Sequence, residues 1–178
     1  MTKGIKIVFL VGMPGAGKTY FGKYAAEKLG VSFIDLDKVI IDNFQTSIAS
    51  IFETKGESEF RKIELITIQQ LLVNCKADTI IATGGGTPCY NNTMKWMNEH
   101  GITVWLDAPI ENLYANIMDD NEQRPLFSGA KKEDLLLKLA ELYDIRKVFY
   151  SQSRAKVSVY RGLSSDLFTK RLHLSTFA

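Results

Sequence analysis

Residues 5–19 read IKIVFLVGMPGAGKT, and this stretch decides the fold because it joins a short apolar run to a glycine-rich turn. The apolar run at residues 5–11 has the length and composition of one buried strand. The turn at residues 12–19 fits the phosphate-loop pattern, in which a glycine-rich segment leaves a strand and opens a helix. We therefore expect a strand, a phosphate-binding loop and a helix from about Gly17 to Leu29.

The residue types in this turn suit a polyphosphate ligand. Glycine allows successive backbone N–H groups to curl around a phosphate at close approach. Lys18 offers a mobile positive charge to the β and γ phosphates, and the Thr19 hydroxyl can bind Mg²⁺. The positive end of the helix dipole points at the same anion. The turn thus predicts a nucleoside triphosphate site formed by Gly12, Gly15, Ala16, Gly17, Lys18, Thr19 and Tyr20.

The flanking residues favour that interpretation over a glycine-rich turn without chemical importance. A strand pattern precedes the turn, and a helical pattern follows it. We expect the apolar side chains of that helix to share one face: Tyr20, Phe21, Tyr24, Ala25 and Leu29.

Length and composition predict one globular domain, residues 1–178, in the cytoplasm. The formal charge is +2, too small to indicate nucleic acid or a membrane as a partner, and no apolar run reaches the length of a membrane span. Cys75 and Cys89 lack metal-ligand spacing and are interpreted as reduced thiols. His100 and His173 are isolated, which argues against a histidine-based metal or catalytic site.

Strand and helix patterns alternate along the rest of the chain. Such alternation predicts right-handed crossovers and a parallel sheet with helices on both faces, a three-layer α/β/α fold. An apolar-periodic segment spans residues 39–44, a short helix is expected around residues 48–52, and Gly56 closes it. We predict further strands at residues 31–35, 79–83, 103–106 and 156–159, and helices at about residues 57–73, 91–99, 109–118, 132–150 and 165–172.

Acidic residues and glycines follow the predicted strands, at the edge of a parallel sheet where ligands bind. Asp35 is placed to hold the metal of a nucleotide through water, and Asp37 to orient an acceptor hydroxyl and accept its proton. Helix capping by one of the two is the alternative. Two carboxylates would repel a phosphorylated acceptor, so a neutral hydroxyl is favoured.

Three arginines are candidates for binding anions. Arg61 and Arg146 could each grip a planar carboxylate in bidentate fashion, although a solvated surface arginine is the common alternative. Arg124 lies in a polar segment with neither helical nor strand period, at residues 119–129, and could neutralise charge on a transferring phosphoryl group. The backbone of Gly84, Gly85 and Gly86 could contact the same acceptor, or form only a tight turn.

Taken together, these segments resemble shikimate kinases over nearly the whole chain. The matching residues are Gly12 to Thr19, Asp35 to Asp37, Gly56-Glu57 with Phe60-Arg61 and Glu64, Ala82 to Gly86, Arg124 to Leu126, and Arg146 with Tyr150. The resemblance implies the fold of nucleoside monophosphate kinases, with a five-stranded parallel sheet, a substrate-binding subdomain at about residues 35–63 and a lid at about residues 119–131. It also implies transfer of phosphate from MgATP to shikimate.

The resemblance further implies residue roles. Asp37, Arg61, Gly85 and Arg146 would hold shikimate, Arg124 would reach ATP, and Thr19 would bind magnesium. Two features depart from the family pattern. No lysine or arginine lies between Glu111 and Gln123, where relatives often carry a base that stacks on adenine, so Arg161 or apolar groups are expected to replace it. Lys147 and Val148 stand where a proline is common nearby, so the local backbone could differ.

Other functions remain compatible with parts of the pattern. A nucleoside monophosphate kinase usually has several arginines in its lid, whereas the polar segment here has Arg124 alone. A gluconate kinase would satisfy the same argument for a hydroxyl and a carboxylate. A regulatory module that binds nucleotide without turnover would not need an acceptor site. We expect the chain to act as a monomer.

Overall fold

The computed structural model describes residues 5–119 and 132–176 and contains a single parallel sheet. Its five strands lie in the order β2-β3-β1-β4-β5. The central strand β1 pairs with β3 on one side and β4 on the other, and its residues are all buried. The strands are β1 (Ile7–Val11), β2 (Ser32–Asp35), β3 (Thr79–Ala82), β4 (Ile102–Asp107) and β5 (Ala155–Ser158).

Helices cover both faces of this sheet, so the predicted α/β/α architecture is confirmed. Within residues 5–119 and 132–176, every helix is too short or too polar to cross a lipid bilayer. α6 continues through Lys147 and Val148 as helix. The helices are α1 (Lys18–Leu29), α2 (Leu36–Phe44), α3 (Ile48–Asn74), α4 (Thr93–His100), α5 (Ile110–Asp119), α6 (Lys132–Tyr150) and α7 (Ser165–Thr176), with a 3₁₀ turn at Thr87–Cys89.

Two glycines limit α1, as the sequence predicts. Gly17 precedes the helix with φ 81°, and Gly30 ends it with φ 66°, both in the left-handed region that favours glycine. The N–H of Val31 donates to the carbonyl of Ala26 at 3.0 Å, which satisfies one of the last helical carbonyls. The chain can therefore turn directly into β2.

The region between β2 and β3 differs from prediction in one respect. The two helices expected at residues 48–52 and 57–73 form a single element, α3, bent at Gly56, where φ is 79° and ψ is 166°. Gly56 thus interrupts the helical backbone, as predicted. Helical structure is present on both sides of it, so the two segments form one bent helix. The kink turns the second half of α3, which carries Arg61, relative to the first half.

The prediction that Tyr20 lies on the apolar face of α1 is wrong. Its side chain is 67% exposed, whereas Phe21 and Ala25 are buried against the sheet and α7. A helix advances about 100° per residue, and Tyr20 lies at the exposed margin of the face that buries Phe21. Its ring packs edge-on against Phe21, and its hydroxyl accepts a hydrogen bond from Ser165.

The predicted lid lies outside the described residues, apart from Asp119 at the end of α5. Arg124 is among the residues that are not described.

Phe168 joins α7 to α1 and supplies a test of the packing. Its ring is fully buried and stacks on Phe21 with centroids 4.6 Å apart. We expect Phe168→Ala to lower the free energy of unfolding by about 3–5 kcal/mol, because a large cavity would remain. Urea unfolding followed by circular dichroism measures this change. Leu167→Ala, at a neighbouring position that is 38% exposed, should cost less than about 1 kcal/mol. Equal losses in the two variants would contradict the assigned packing.

Candidate active site

The phosphate loop connects β1 to α1, and the side chain of Lys18 folds back onto the backbone of this loop. Gly12 has φ 141°, and a Cβ atom there would lie 2.6 Å from the carbonyl oxygen of Leu106, so the turn requires glycine. The Lys18 ammonium group donates to the carbonyl oxygens of Gly12 at 2.9 Å and Met13 at 3.0 Å, and the residue is 8% exposed. The loop therefore holds a buried positive charge beside the N-terminus of α1, as a phosphate site requires.

Thr19 and Asp35 lie together next to this loop. The Thr19 hydroxyl donates to Asp35 Oδ2 at 2.6 Å. Asp35 Oδ1 accepts from the N–H of Lys38 at 3.3 Å and caps α2, so capping occupies only one of its two oxygens. A hydroxyl and a carboxylate oxygen are ligands that suit Mg²⁺. The described residues contain no cluster of three or more His, Cys, Asp or Glu side chains for a metal, so phosphates and water would complete the coordination.

The loop at residues 84–86 follows β3 and lies against charged side chains. A Cβ atom on Gly84 would lie 2.7 Å from Glu64 Oε1 and 3.2 Å from Asp37 Oδ1. A Cβ atom on Gly86 would overlap the Arg61 guanidinium group. Only glycine allows the backbone to approach these groups so closely. Asp37 and Arg61, separated by 24 positions in the chain, thus meet at one loop.

Arg61 is buried, at 6% exposure, so the solvated alternative does not apply. Its Nη1 donates to Glu64 Oε2 at 2.7 Å, and its Nη2 donates to Glu57 Oε1 at 2.9 Å. Three aromatic rings surround the guanidinium carbon, with centroids at 4.8 to 5.5 Å, from Tyr90, Phe60 and Phe52. Burial disfavours the charged form and acts to lower the pKa of Arg61. The charges and hydrogen bonds of Glu64 and Glu57 outweigh this effect and raise the pKa. Arg61 is therefore a fixed cation in a low-dielectric setting.

Glu64 is the most deeply buried acid of the site, at 1% exposure. The Thr87 hydroxyl donates to its Oε1, and Arg61 binds its other oxygen. Burial raises the pKa of Glu64, Arg61 and Thr87 oppose that rise, and the charge of Asp37 adds to it. The contribution from Asp37 indicates that these two acids lie near each other, on the side of Arg61 that faces the loop.

Arg146 and Tyr150 reach the same region from α6. Arg146 is 5% exposed, which excludes the solvated alternative here too, and its Nη1 has no hydrogen-bond partner among the described residues. Burial raises the pKa of Cys89 to about 11, and the charges of Arg146 and Arg61 both act against this rise. The charges of both guanidinium groups therefore act on the same residue of the 3₁₀ turn, Cys89.

Tyr150 joins the two loops of the site. Its hydroxyl donates to the carbonyl of Gly85 at 2.6 Å and lies 3.8 Å from Met13 Sδ in the phosphate loop. A Cβ atom on Gly85 would come within 2.7 Å of Pro14 Cδ, so the loops are in direct contact. The phosphate loop and the loop at residues 84–86 are thus adjacent, an arrangement that phosphoryl transfer between two bound ligands would require.

Other predicted residues lie away from this cluster. Arg161 is 74% exposed and approaches Asp119 of α5, with Nη2 and Oδ2 3.9 Å apart. Tyr20 lies beside α7, and Arg124 is outside the described residues.

Sequence reasoning assigned no role to four residues that the structure places at Arg61. The spacing of Glu57, Arg61 and Glu64 on one helix could have indicated the two ion pairs. No local signal could have indicated Thr87 or Tyr90, because both reach Arg61 or its partner through the tertiary fold.

The comparisons with known proteins point to one family. The family model described as shikimate kinase matches residues 14–174. A shikimate kinase of Azobacteroides pseudotrichonymphae is 39% identical over 160 residues, which cover 90% of this chain and 94% of that protein.

Solved structures of shikimate kinases are also similar to this chain. A crystal structure of shikimate kinase from Bacteroides thetaiotaomicron superposes with a TM-score of 0.90 at 30% identity, over 96% of this chain and 98% of that one. Shikimate kinase from Acinetobacter baumannii in complex with shikimate gives 0.84 at 32% identity, over 96% and 92%. With the family model and relatives matching most of its length, the chain belongs to the shikimate kinase family, a family of ATP-dependent kinases.

Proposed function

We propose that the chain transfers the γ-phosphoryl group of MgATP to the 3-hydroxyl of shikimate and releases ADP and shikimate 3-phosphate, a step of chorismate and aromatic amino acid synthesis. The main support is the burial of two arginines, Arg61 and Arg146, whose charges both act on Cys89, together with the position of Arg61 and Asp37 against the loop at residues 84–86. Such a site suits a small acceptor that carries both a carboxylate and a neutral hydroxyl.

On the nucleotide side, the backbone amides of residues 12–20 would bind the phosphates and Lys18 would neutralise the β and γ groups. Thr19 and Asp35 would hold Mg²⁺, Asp35 through a water molecule, because their hydroxyl and carboxylate already meet at 2.6 Å. The ion supplies positive charge to the β and γ phosphates when it is bound. Arg161, near the end of α5, would contact the adenine, and Arg124 would neutralise the transferring group.

On the acceptor side, Arg61 and Arg146 would bind the carboxylate of shikimate, and Gly84, Gly85 and Gly86 would contact its ring substituents through the backbone. Asp37 would then orient the 3-hydroxyl and accept its proton during attack. The proximity of Asp37 to Gly84 supports this role, because the same loop contacts the phosphate loop through Gly85 and Pro14. All of these side chains come from one chain, and we propose a cytoplasmic monomer.

An ADP-release assay tests the acceptor directly. With MgATP, we expect ADP formation to depend on shikimate and to remain at background with gluconate, AMP or CMP, because AMP and CMP lack a carboxylate and the family match favours shikimate over gluconate. Product mass spectrometry should find shikimate 3-phosphate. ADP formation with AMP or CMP and none with shikimate would refute the proposal and favour a nucleoside monophosphate kinase.

Asp37→Asn tests the proposed base. We expect kcat to fall by about 10²–10⁴-fold while ATP binding, measured by calorimetry, stays near wild type, because the amide cannot accept the proton. Asp42→Asn is the control, since Asp42 is exposed on the same helix, α2. An unchanged kcat in Asp37→Asn would remove Asp37 from catalysis.

Arg61→Ala tests the proposed carboxylate site. We expect KM for shikimate to rise by about 10²-fold, because a charge-assisted bidentate contact is lost, with KM for ATP nearly unchanged. Lys62→Ala, at the adjacent position with 59% side-chain exposure, should leave both constants unaltered. A selective loss of ATP affinity in Arg61→Ala would place Arg61 on the nucleotide side instead.

A further inference from the structure

The two carboxylates that bind Arg61 differ in their access to solvent. Glu64 is 1% exposed and is held by Thr87 as well as by Arg61. Glu57 is 48% exposed and takes the other terminal nitrogen, Nη2, at 2.9 Å. Glu64 is thus part of the interior, whereas Glu57 is a carboxylate that reaches Arg61 from the solvent side.

Glu57 also lies within the field of the second arginine. Burial works against ionisation of Glu57, but hydrogen bonds from Arg61 and Tyr90, followed by the charges of Arg61 and Arg146, outweigh it and lower its pKa. Glu57 is therefore an anion bound at 2.9 Å to Arg61, one of the two arginines assigned above to the carboxylate of the acceptor. Nη1 of Arg146 and Nε of Arg61 are buried and lack hydrogen-bond partners among the described residues, so both arginines retain donors for a further anion.

A second carboxylate bound to these open donors would be repelled by Glu57. The two like charges would lie close together at Arg61, and the repulsion is relieved only if Glu57 moves away. The half-exposed side chain can turn into solvent. Its position directly after the non-helical Gly56, at the start of the second half of α3, leaves little of the preceding backbone in its way.

On this geometry, and resting on the function proposed above, we propose that Glu57 is an internal competitor for the acceptor site. Its carboxylate binds Arg61 in the empty enzyme and is displaced by the carboxylate of the acceptor. Glu57 thereby makes the site selective. An anion binds only if its other contacts, to Asp37 and to the loop at residues 84–86, compensate for breaking the ion pair between Glu57 and Arg61. Simple carboxylates, which lack the hydroxyl groups for those contacts, are excluded.

Tyr90 is the positioning residue for this competitor. Its ring covers Arg61 at 4.8 Å, and its hydroxyl interacts with the Glu57 carboxylate closely enough for Glu57 to raise the pKa of Tyr90. Burial raises the pKa of Tyr90, and the bond to Glu57 raises it further, so the hydroxyl stays protonated and able to donate. Removing that hydroxyl should therefore weaken the hold on Glu57 without uncovering Arg61.

Glu57→Gln is the primary test. The amide keeps the size and the hydrogen-bonding capacity of the side chain but removes its charge. We expect KM for shikimate, and its Kd by calorimetry, to fall by about two- to fivefold, the range for a partly exposed ion pair, with kcat and KM for ATP unchanged. Inhibition by benzoate, a carboxylate without hydroxyl groups, should strengthen by a similar factor.

Glu59→Gln is the matched control. Glu59 lies on the same part of α3, is 49% exposed and pairs with Lys62 at 3.1 Å, so the substitution makes the same charge change away from the site. We expect no change in either binding constant. Tyr90→Phe is the second variant and should lower KM for shikimate in the same direction as Glu57→Gln.

The change in KM for shikimate distinguishes a competing role of Glu57 from a supporting role and from no role. A raised KM in Glu57→Gln would mean that Glu57 supports Arg61, and an unchanged KM would mean that it does not contact the acceptor site; either result overturns the proposal. Should Glu57→Gln fail to fold, Tyr90→Phe decides in the same way. If the wild-type chain neither binds nor phosphorylates shikimate, the proposed function fails before Glu57 is tested.

Discussion

The close contact between two glycine loops is the constraint on which the rest of the site depends. A side chain on Gly85 would collide with Pro14, and one on Gly86 would collide with Arg61. Because no Cβ intervenes, the backbone after β3 lies directly against both the phosphate loop and the guanidinium group. Tyr150 of α6 stabilises this contact, because its hydroxyl donates a hydrogen bond to the carbonyl of Gly85. A phosphate donor and its acceptor can therefore be bound side by side in one small volume.

Buried charge is the cost of this arrangement. Arg61 and Glu64 are both nearly inaccessible, and such pairs contribute little net stability because desolvation offsets their attraction. The proposed function gives a reason for their presence: a cation fixed by Glu64 and covered by aromatic rings would stay in place for a carboxylate ligand. The open donor of Arg146 has the same explanation. The interior of this site is thus organised for binding and contributes little to folding.

The fold was largely predictable because its signals are local. The apolar run before the phosphate loop, the glycine at position 30 and the strand and helix periods depend on neighbours a few positions away, and each predicted strand is present. The prediction for Tyr20 was wrong because helical period was read too loosely, and α3 is one bent helix because a glycine kink need not end hydrogen bonding. Burial of Arg61 and Arg146 could not be predicted, since residue type alone favours the surface.

By itself, the sequence determined the chemistry that is available: a phosphate loop with Lys18 and Thr19, carboxylates after one strand, three glycines after another, and arginines on two helices. Only the tertiary structure decided which of these groups share a space. It brought Asp37, Glu64 and Arg61 to one loop, buried Arg146, and placed Glu57 on the solvent side of Arg61. The physical reason is that contacts between distant segments depend on strand order and helix packing, which no local pattern encodes.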